Sequence, residues 1–383
     1  MAVRTPLTPE LVHGCEYLEP TARGLRPHRL PAWVAAQCPD ERLPAMEAQP
    51  SGVRVAVVTE AQDVELVTRP ARLAYRGLDR PRGGVDLVVD HRLLASDPLT
   101  GGDAYETDLG TGETAFVPGE PHATRFTGLG AGEKLVELWL PHNEAVELVE
   151  LRTDARVAPA PRNGRRWLHH GSSISQGSNA ATPARTWPAV AARMAGVDLR
   201  NLGFGGSALV DPFAARVMRD TAADLISVKL GINVVNSDAM RLRTFVPAVH
   251  GFLDTIRDGH PETPLVLVSP IHCGIHEHTP GPGMFDPQGF AAGQVRFAAA
   301  GQPGDTELGR LTLTVIRDAL AGIVERREDP NLHYLDGTAL YSEADSHEIP
   351  LPDALHPDTD AHELIGTRFA QLAFETGGPF ATA

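Results

Sequence analysis

Beyond residue 165 the chain repeats one pattern: a short apolar run, a turn, then a longer segment of helical spacing. The apolar runs are RWLHHG, VDLRNLGF, DLISVKLGI, PLVLVSPI and NLHYLDG. Between them, Phe245, Val246, Val249, Phe252, Leu253 and Ile256 recur every three or four residues before a Gly259-His260-Pro261 stop. Val315, Ile316, Leu320 and Ile323 do the same within residues 311–324, and Leu364, Ile365 and Phe369 follow a helix start near Asp358. Strands separated by helices need crossover connections, so the sheet is expected to be mostly parallel with helices on both faces. Ligands of such sheets sit at the carboxyl ends of the strands.

The preceding stretch has a different texture. Residues 53–151 alternate apolar and polar positions in the runs VRVAVVTE, VELVTRP, VDLVVDHRLL, TAFVP and KLVELWLP, with turn-forming clusters between them. Period-two runs of this length read as half-buried strands of a β-sandwich, jelly-roll-like domain. The segment VAPAPRNGRR has the prolines and charges of a linker. A chain of 383 residues accommodates two cores. The expected organisation is therefore a β-sandwich accessory domain over 1–160 and an α/β domain over 161–383.

Charge narrows the function. A net charge of -15 repels phosphate backbones and anionic membrane surfaces, and the sequence holds no basic patch to offset it, so neither nucleic acid nor membrane is an expected partner. The opening MAVRTPLTPELVHGCEYLEP has prolines and acids where a signal peptide carries an apolar core, which makes the cytoplasm the expected compartment. Cys15, Cys38 and Cys273 are odd in number, so at least one thiol is free; a Cys15 to Cys38 bridge stays open.

Polar groups gather just after the strands. Gly171-Ser172-Ser173 follows the first, Gly203-Phe204-Gly205-Gly206 the second, Gly231-Ile232-Asn233 the third, His272 the fourth, and a loop holding Asp353 and His356 comes after the last. A carboxylate three residues before an imidazole can fix the ring tautomer and stabilise the imidazolium, giving a serine across the rim its base. Attack on an ester or thioester creates an oxyanion, and each fixed donor aimed at it contributes roughly 3 to 4 kcal/mol. The backbone N–H groups of Ser173 and Gly206 and the amide of Asn233 are the candidates. Ser172 and Ser175 read as helix-cap serines.

These blocks carry a family resemblance. Gly171-Ser172-Ser173-Ile174-Ser175, Asn201-Leu202-Gly203-Phe204-Gly205-Gly206, Gly231-Ile232-Asn233 and Asp353-Ala354-Leu355-His356 occur in the order of the SGNH, or GDSL-like, hydrolases, and the resemblance covers about residues 165–375. It implies a flavodoxin-like three-layer α/β/α fold with Ser173, His356 and Asp353 as the catalytic groups and Gly206 and Asn233 as oxyanion donors. Two positions depart from the family pattern: Ser172 and Val234 stand where aspartates are usual, which implies altered loop bracing. An α/β-hydrolase elbow would need Gly-x-Ser-x-Gly, and the residue two after Ser173 is Ser175.

The pocket lining is read from the neighbouring segments. The run His272-Cys273-Gly274-Ile275-His276-Glu277-His278 has the look of a metal cluster but no matching second ligand pair, so His272 and His276 are expected in a pocket wall and no metal is expected. The segment TPGPGMFDPQGFAAGQ is long and rich in glycine and proline, as lids and binding loops are; Met284, Phe285 and Phe290 are its apolar groups. Phe204 and Asn236 are further candidates for the cleft.

The whole-chain layout, with GSSISQG as nucleophile block, also resembles the GDSL-type salicylyl acyltransferases of tetracycline-type polyketide biosynthesis in actinomycetes. That resemblance implies transfer of an aromatic acyl group from its coenzyme A thioester to a polyketide hydroxyl. On this reading acyl-CoA is a co-substrate, no cofactor is held, and the partners are a small-molecule acyl donor and a hydroxyl acceptor. An esterase or thioesterase that uses water, or a non-catalytic binding module, are the alternatives.

Overall fold

The computed structural model describes residues 3–38, 42–77, 81–108, 110–162, 164–291 and 294–381. The chain forms two compact units, Met1–Gly164 with Ala181–Arg185, and Arg165–Ala180 with Thr186–Ala383. The expected division at 160/161 compares with a break at Gly164/Arg165. Nothing in the sequence pattern signals that the short Ala181–Arg185 segment groups with the first unit.

The first unit is built on two open sheets which, among the described residues, have eight and six strands. Their pairing is antiparallel except where Val64–Tyr75 runs parallel to Asp103–Thr107. Alternate residues of Val64–Tyr75 are buried over most of its length, as a strand with one face on a core requires. Val55, Val57 and Leu138 from one sheet and Leu66, Leu148 and Leu151 from the other share a single buried cluster, the arrangement of a sandwich.

The run VDLVVDHRLL is not one strand. It divides into Gly84–Val89 and Arg92–Pro98, paired as a hairpin about Asp90 (φ 47°) and His91 (φ 67°). Two central residues at positive φ suit the twist of a tight hairpin, but asparagine and glycine are the usual signal for it. Of the expected linker, Val157–Pro159 pairs with Arg54–Thr59, and Asn163 lies outside the described residues.

The second unit carries a five-stranded parallel sheet in the order Asp198–Gly203, Arg166–Gly171, Leu225–Lys229, Leu265–Val268, Leu332–Leu335. In chain order this is 2-1-3-4-5, the flavodoxin-like arrangement, and its crevice opens where the first and third strands lie side by side. Covered on both faces, the central strands are largely buried, and every residue of Leu265–Val268 is both apolar and buried. Trp167 packs against Trp187 and Phe369 on one face, while His170, one residue out of phase on the same strand, stacks near Phe252 of the helix Leu242–Gly259 on the other. That helix buries Phe245, Val249, Phe252, Leu253 and Ile256, the stripe its spacing predicts. Among the described residues no helix is long and apolar enough to cross a membrane.

Candidate active site

The first strand ends at Gly171, and Ser172 caps a single helical turn, Ser173–Gln176, by accepting the Ile174 N–H at 3.3 Å. Serine thus replaces the aspartate of the family pattern with the same capping capacity. Gly171 and Gly203 are register partners on adjacent strands. A Cβ on Gly171 would collide with the Ser175 side chain, and one on Gly203 with the Gln176 backbone, so two glycines let the turn settle onto the strand ends.

Ser175 is not a cap. Its Oγ lies 2.8 Å from His169 Nε2, and the other ring nitrogen is 2.7 Å from Ser227 Oγ, which also accepts from Trp167 Nε1. Burial, reinforced by the nearby His170 and Lys229, holds His169 well below the usual imidazole range. A neutral ring therefore fastens the nucleophile turn to the sheet beneath it.

Ser173 Oγ stands 3.0 Å from His356 Nε2, and His356 Nδ1 stands 2.7 Å from Asp353 Oδ2. The other carboxylate oxygen accepts the backbone N–H groups of Leu355 (2.9 Å) and His356 (2.7 Å). Ala354 reaches this geometry at φ 66°, a conformation L-residues adopt at a cost, and its carbonyl accepts the Cys273 thiol at 3.4 Å. Burial works to raise the Asp353 carboxyl, but the hydrogen bond and charge of His356 and the two N–H groups outweigh it and hold the group below its ordinary value. Asp353 is therefore ionised, as a partner for an imidazolium must be.

The glycine loop and Asn233 are joined to each other. Asn233 is buried, and its Oδ1 accepts the Ala208 N–H at 3.1 Å, which leaves the Nδ2 end of the amide as the free donor. Gly206 holds φ 71°, and the neighbouring Gly205 N–H donates to Gln176 Oε1 at 2.7 Å, tying the loop to the nucleophile turn. The Val234 side chain is fully buried in the core.

The expected lid is a small folded element. Gly283–Phe285 pairs with Phe297–Ala299 as a two-stranded hairpin enclosing the helix Pro287–Ala291. Phe297, which the sequence reading did not single out, donates its N–H to the Asp353 carbonyl at 2.9 Å and sets its ring edge-on to His356. Phe285 stacks on Phe297 at 5.2 Å, and both Phe285 and Met284 are exposed. The side chain of Phe290 lies outside the described residues.

The remaining candidates occupy varied positions. Phe204 is buried against His170. His272 faces Glu277 at 3.4 Å, and His276 is fully buried with Nδ1 on the Thr279 carbonyl. Asn236 Oδ1 and His276 Nε2 are buried atoms without a hydrogen-bond partner among the described residues. Among the described residues no group of three or more His, Cys, Asp or Glu side chains is placed to hold a metal ion. Cys273 is a buried thiol.

Residues 165–277 match the family model of the GDSL-like lipase/acylhydrolase family. The match places a GDSL-like acylhydrolase domain over these residues and, with the fold, supports an SGNH-type enzyme. The structure is similar to that of the salicylyl-acyltransferase SsfX3 from a tetracycline biosynthetic pathway, with a TM-score of 0.78 and 27% identity over 96% of this chain and 95% of that one. It is similar to a putative GDSL-like lipase from Bacteroides ovatus, with a TM-score of 0.67 and 18% identity over 96% of each chain. A family two carbohydrate esterase from Clostridium thermocellum, solved with cellohexaose, shares the fold at a TM-score of 0.55 and 13% identity over 84% of this chain and 91% of that one. Comparison with curated protein sequences finds no match.

Proposed function

We propose that the protein is a serine-dependent acyltransferase that takes an aromatic, salicylyl-like acyl group from a coenzyme A thioester and passes it to a hydroxyl of a polyketide. The observation that carries this reading is the likeness to the salicylyl-acyltransferase along nearly the whole of both chains, combined with the hydrogen-bonded Ser173–His356–Asp353 series. Ser173 Oγ attacks the thioester carbonyl as His356 Nε2 takes its proton; Asp353 stabilises the imidazolium. Gly206 N–H, Asn233 Nδ2 and the Ser173 N–H receive the oxyanion. The C–S bond breaks, the thiolate takes the proton from His356, and the acyl group rests on Ser173. The acceptor hydroxyl then attacks, gives its proton to His356, and leaves as the ester while Ser173 regains its hydrogen. Coenzyme A thioesters are cytosolic donors, so this reading places the protein in the cytoplasm.

A second reading, hydrolysis of a carbohydrate or small ester, has the esterase fold in its favour. The test is incubation with salicylyl-CoA with and without a polyphenolic acceptor, followed by mass spectrometry. An ester formed only with acceptor, and a transient Ser173 adduct, are expected. Free acid released at the same rate with or without acceptor overturns transfer in favour of hydrolysis. Failure of a fluorophosphonate to label Ser173 would leave a non-catalytic binder.

A further inference from the structure

Asn179, eight residues beyond the Gly171 end of the Arg166–Gly171 strand, touches the far end of the same hydrogen-bonded series. Its Nδ2 donates to Asp353 Oδ2 at 3.1 Å, the oxygen that also receives His356 Nδ1. The nucleophile segment therefore reaches the acid loop twice, through Ser173 to His356 and through Asn179 to Asp353. The four side chains and the backbone from Ser173 to Asn179 close a ring.

The backbone of that ring is fixed at each step. Ser178 N–H donates to the Ser173 carbonyl at 3.0 Å and Ala180 N–H to the Gly177 carbonyl at 3.0 Å. The Ser178 carbonyl accepts His362 Nε2 at 3.0 Å, and His362 Nδ1 accepts the Trp187 N–H at 3.3 Å. Asn179 itself adopts φ 68°, where asparagine is among the few side chains that sit comfortably. All four oxygen-directed positions of Asp353 are then accounted for: two backbone N–H groups on Oδ1, an imidazole and an amide on Oδ2.

We infer that Asn179 is a positioning residue for the acyl-transfer reaction: its amide locks the Asp353 carboxylate in the plane of the His356 ring and draws off part of its negative charge. This rests on the serine reading above. Removing the amide leaves the carboxylate more negative and freer to turn, so the imidazolium is favoured and the acid limb of the pH–rate profile moves up. A carboxylate in its place moves the limb further in the same direction, because like charges close together favour a neighbouring cation.

The experiment uses the full chain and p-nitrophenyl acetate, a small activated ester, and measures kcat and KM from pH 5 to 9 for the wild type, Asn179→Gly, Asn179→Asp and Ser173→Ala. Glycine holds φ 68° without strain, so Asn179→Gly isolates the amide from the backbone. Expected are a fall in kcat of about tenfold with KM unchanged, an upward shift of the acid limb by about half a pH unit in Asn179→Gly, and by about one unit in Asn179→Asp. Because Asn179 is exposed, the Asn179→Asp shift should shrink in 1 M salt, where screening acts over about 3 Å. Profiles of both variants superimposable on the wild type, whatever their amplitude, overturn the inference. If Asn179→Gly melts far below the wild type, the relative shift of Asn179→Asp, which retains a side chain able to sit at this φ, decides. Full turnover by Ser173→Ala would instead bring down the serine reading itself.

Discussion

Phe297 meets His356 edge to face, with ring centroids 5.6 Å apart, and is held there by its own N–H on the carbonyl of Asp353. The hairpin that carries Phe297 is thus anchored to the acid loop by backbone and ring together. Phe285, stacked on Phe297 and exposed, extends the aromatic surface outward from the imidazole. On the proposed acyl-transfer reading, a flat acyl group on Ser173 would lie on this surface, and an acetyl group would use less of it. Aromatic pairs contribute about 0.5 to 1.5 kcal/mol beyond their buried area. Phe285→Ala is therefore expected to raise KM for salicylyl-CoA about three- to tenfold and KM for acetyl-CoA by less. Equal effects on the two thioesters in steady-state kinetics would remove Phe285 from the acyl subsite.

Asn233 offers a sharper test of oxyanion binding, because its two amide atoms have separate tasks. Oδ1 accepts from Ala208, and only Nδ2 remains for the substrate. Asn233→Asp preserves the acceptor for Ala208 but turns the donor into a carboxylate that repels an oxyanion. Loss of one such donor lowers kcat by about 10²- to 10³-fold. The expected result is a kcat reduced by at least that factor with KM near the wild type, and, because the site is buried, a thermal midpoint lowered at pH 7 and less so at pH 5. A variant with unimpaired kcat would show that the amide faces no developing charge.

The sheet of the second unit was legible because its strands are buried on both faces and its helices are long enough to show their period, as in Phe245 to Ile256. Ser173, Gly206 and Asn233 could be singled out because each follows a strand, and strand ends in a parallel sheet converge on one rim. The residues that escaped notice act through folding of loops. Asn179, Phe297 and His169 sit in no motif, Ser175 lies in the nucleophile block but was read as a cap, and their partners lie where local spacing gives no information. In the first unit, Ala32–Gln37 and Arg42–Glu47 are helices of only six residues, too short for a periodic stripe. The Asp90-His91 turn was hidden for a related reason: the strands force the backbone into positive φ without glycine to announce it.

The imidazoles of His170 and His362 make the fold sensitive to acid. Both are fully buried, and burial lowers each from an ordinary 6.5 to about 4, despite the carbonyls of Leu202 and Ser178 that accept from them. Between pH 6.5 and 4 the unfolded chain binds protons that the folded chain refuses, so stability falls as pH drops through that window. Each ring accounts for up to about 3 kcal/mol of the loss. His170→Phe keeps a ring against Phe252 but forfeits the bond to Leu202, at about 1 kcal/mol. Urea unfolding should show the variant slightly weaker than the wild type at pH 7 and clearly less weakened on going to pH 4.5. Parallel losses in the two proteins would exclude His170 as a source of the acid sensitivity.

Lys229 carries the same sign of charge as those imidazoles but acts in a higher pH window. It closes the third strand, fully buried, and burial followed by the charge of Arg317 lowers its ammonium from 10.5 to about 7. Below pH 7 the folded chain carries the buried charge at full cost; from 7 to 10.5 the unfolded chain alone holds the proton, and stability rises with pH. Methionine has nearly the same length and no charge to desolvate. Lys229→Met is accordingly expected to stabilise the protein most at pH 6, by up to about 4 kcal/mol, with the gain shrinking steadily toward pH 10. Urea midpoints of the two proteins at pH 6, 8 and 9.5 measure this directly. A gain independent of pH would mean that packing, and not the buried charge, separates them, while a loss at pH 6 would mean that the ammonium has a stabilising partner when charged.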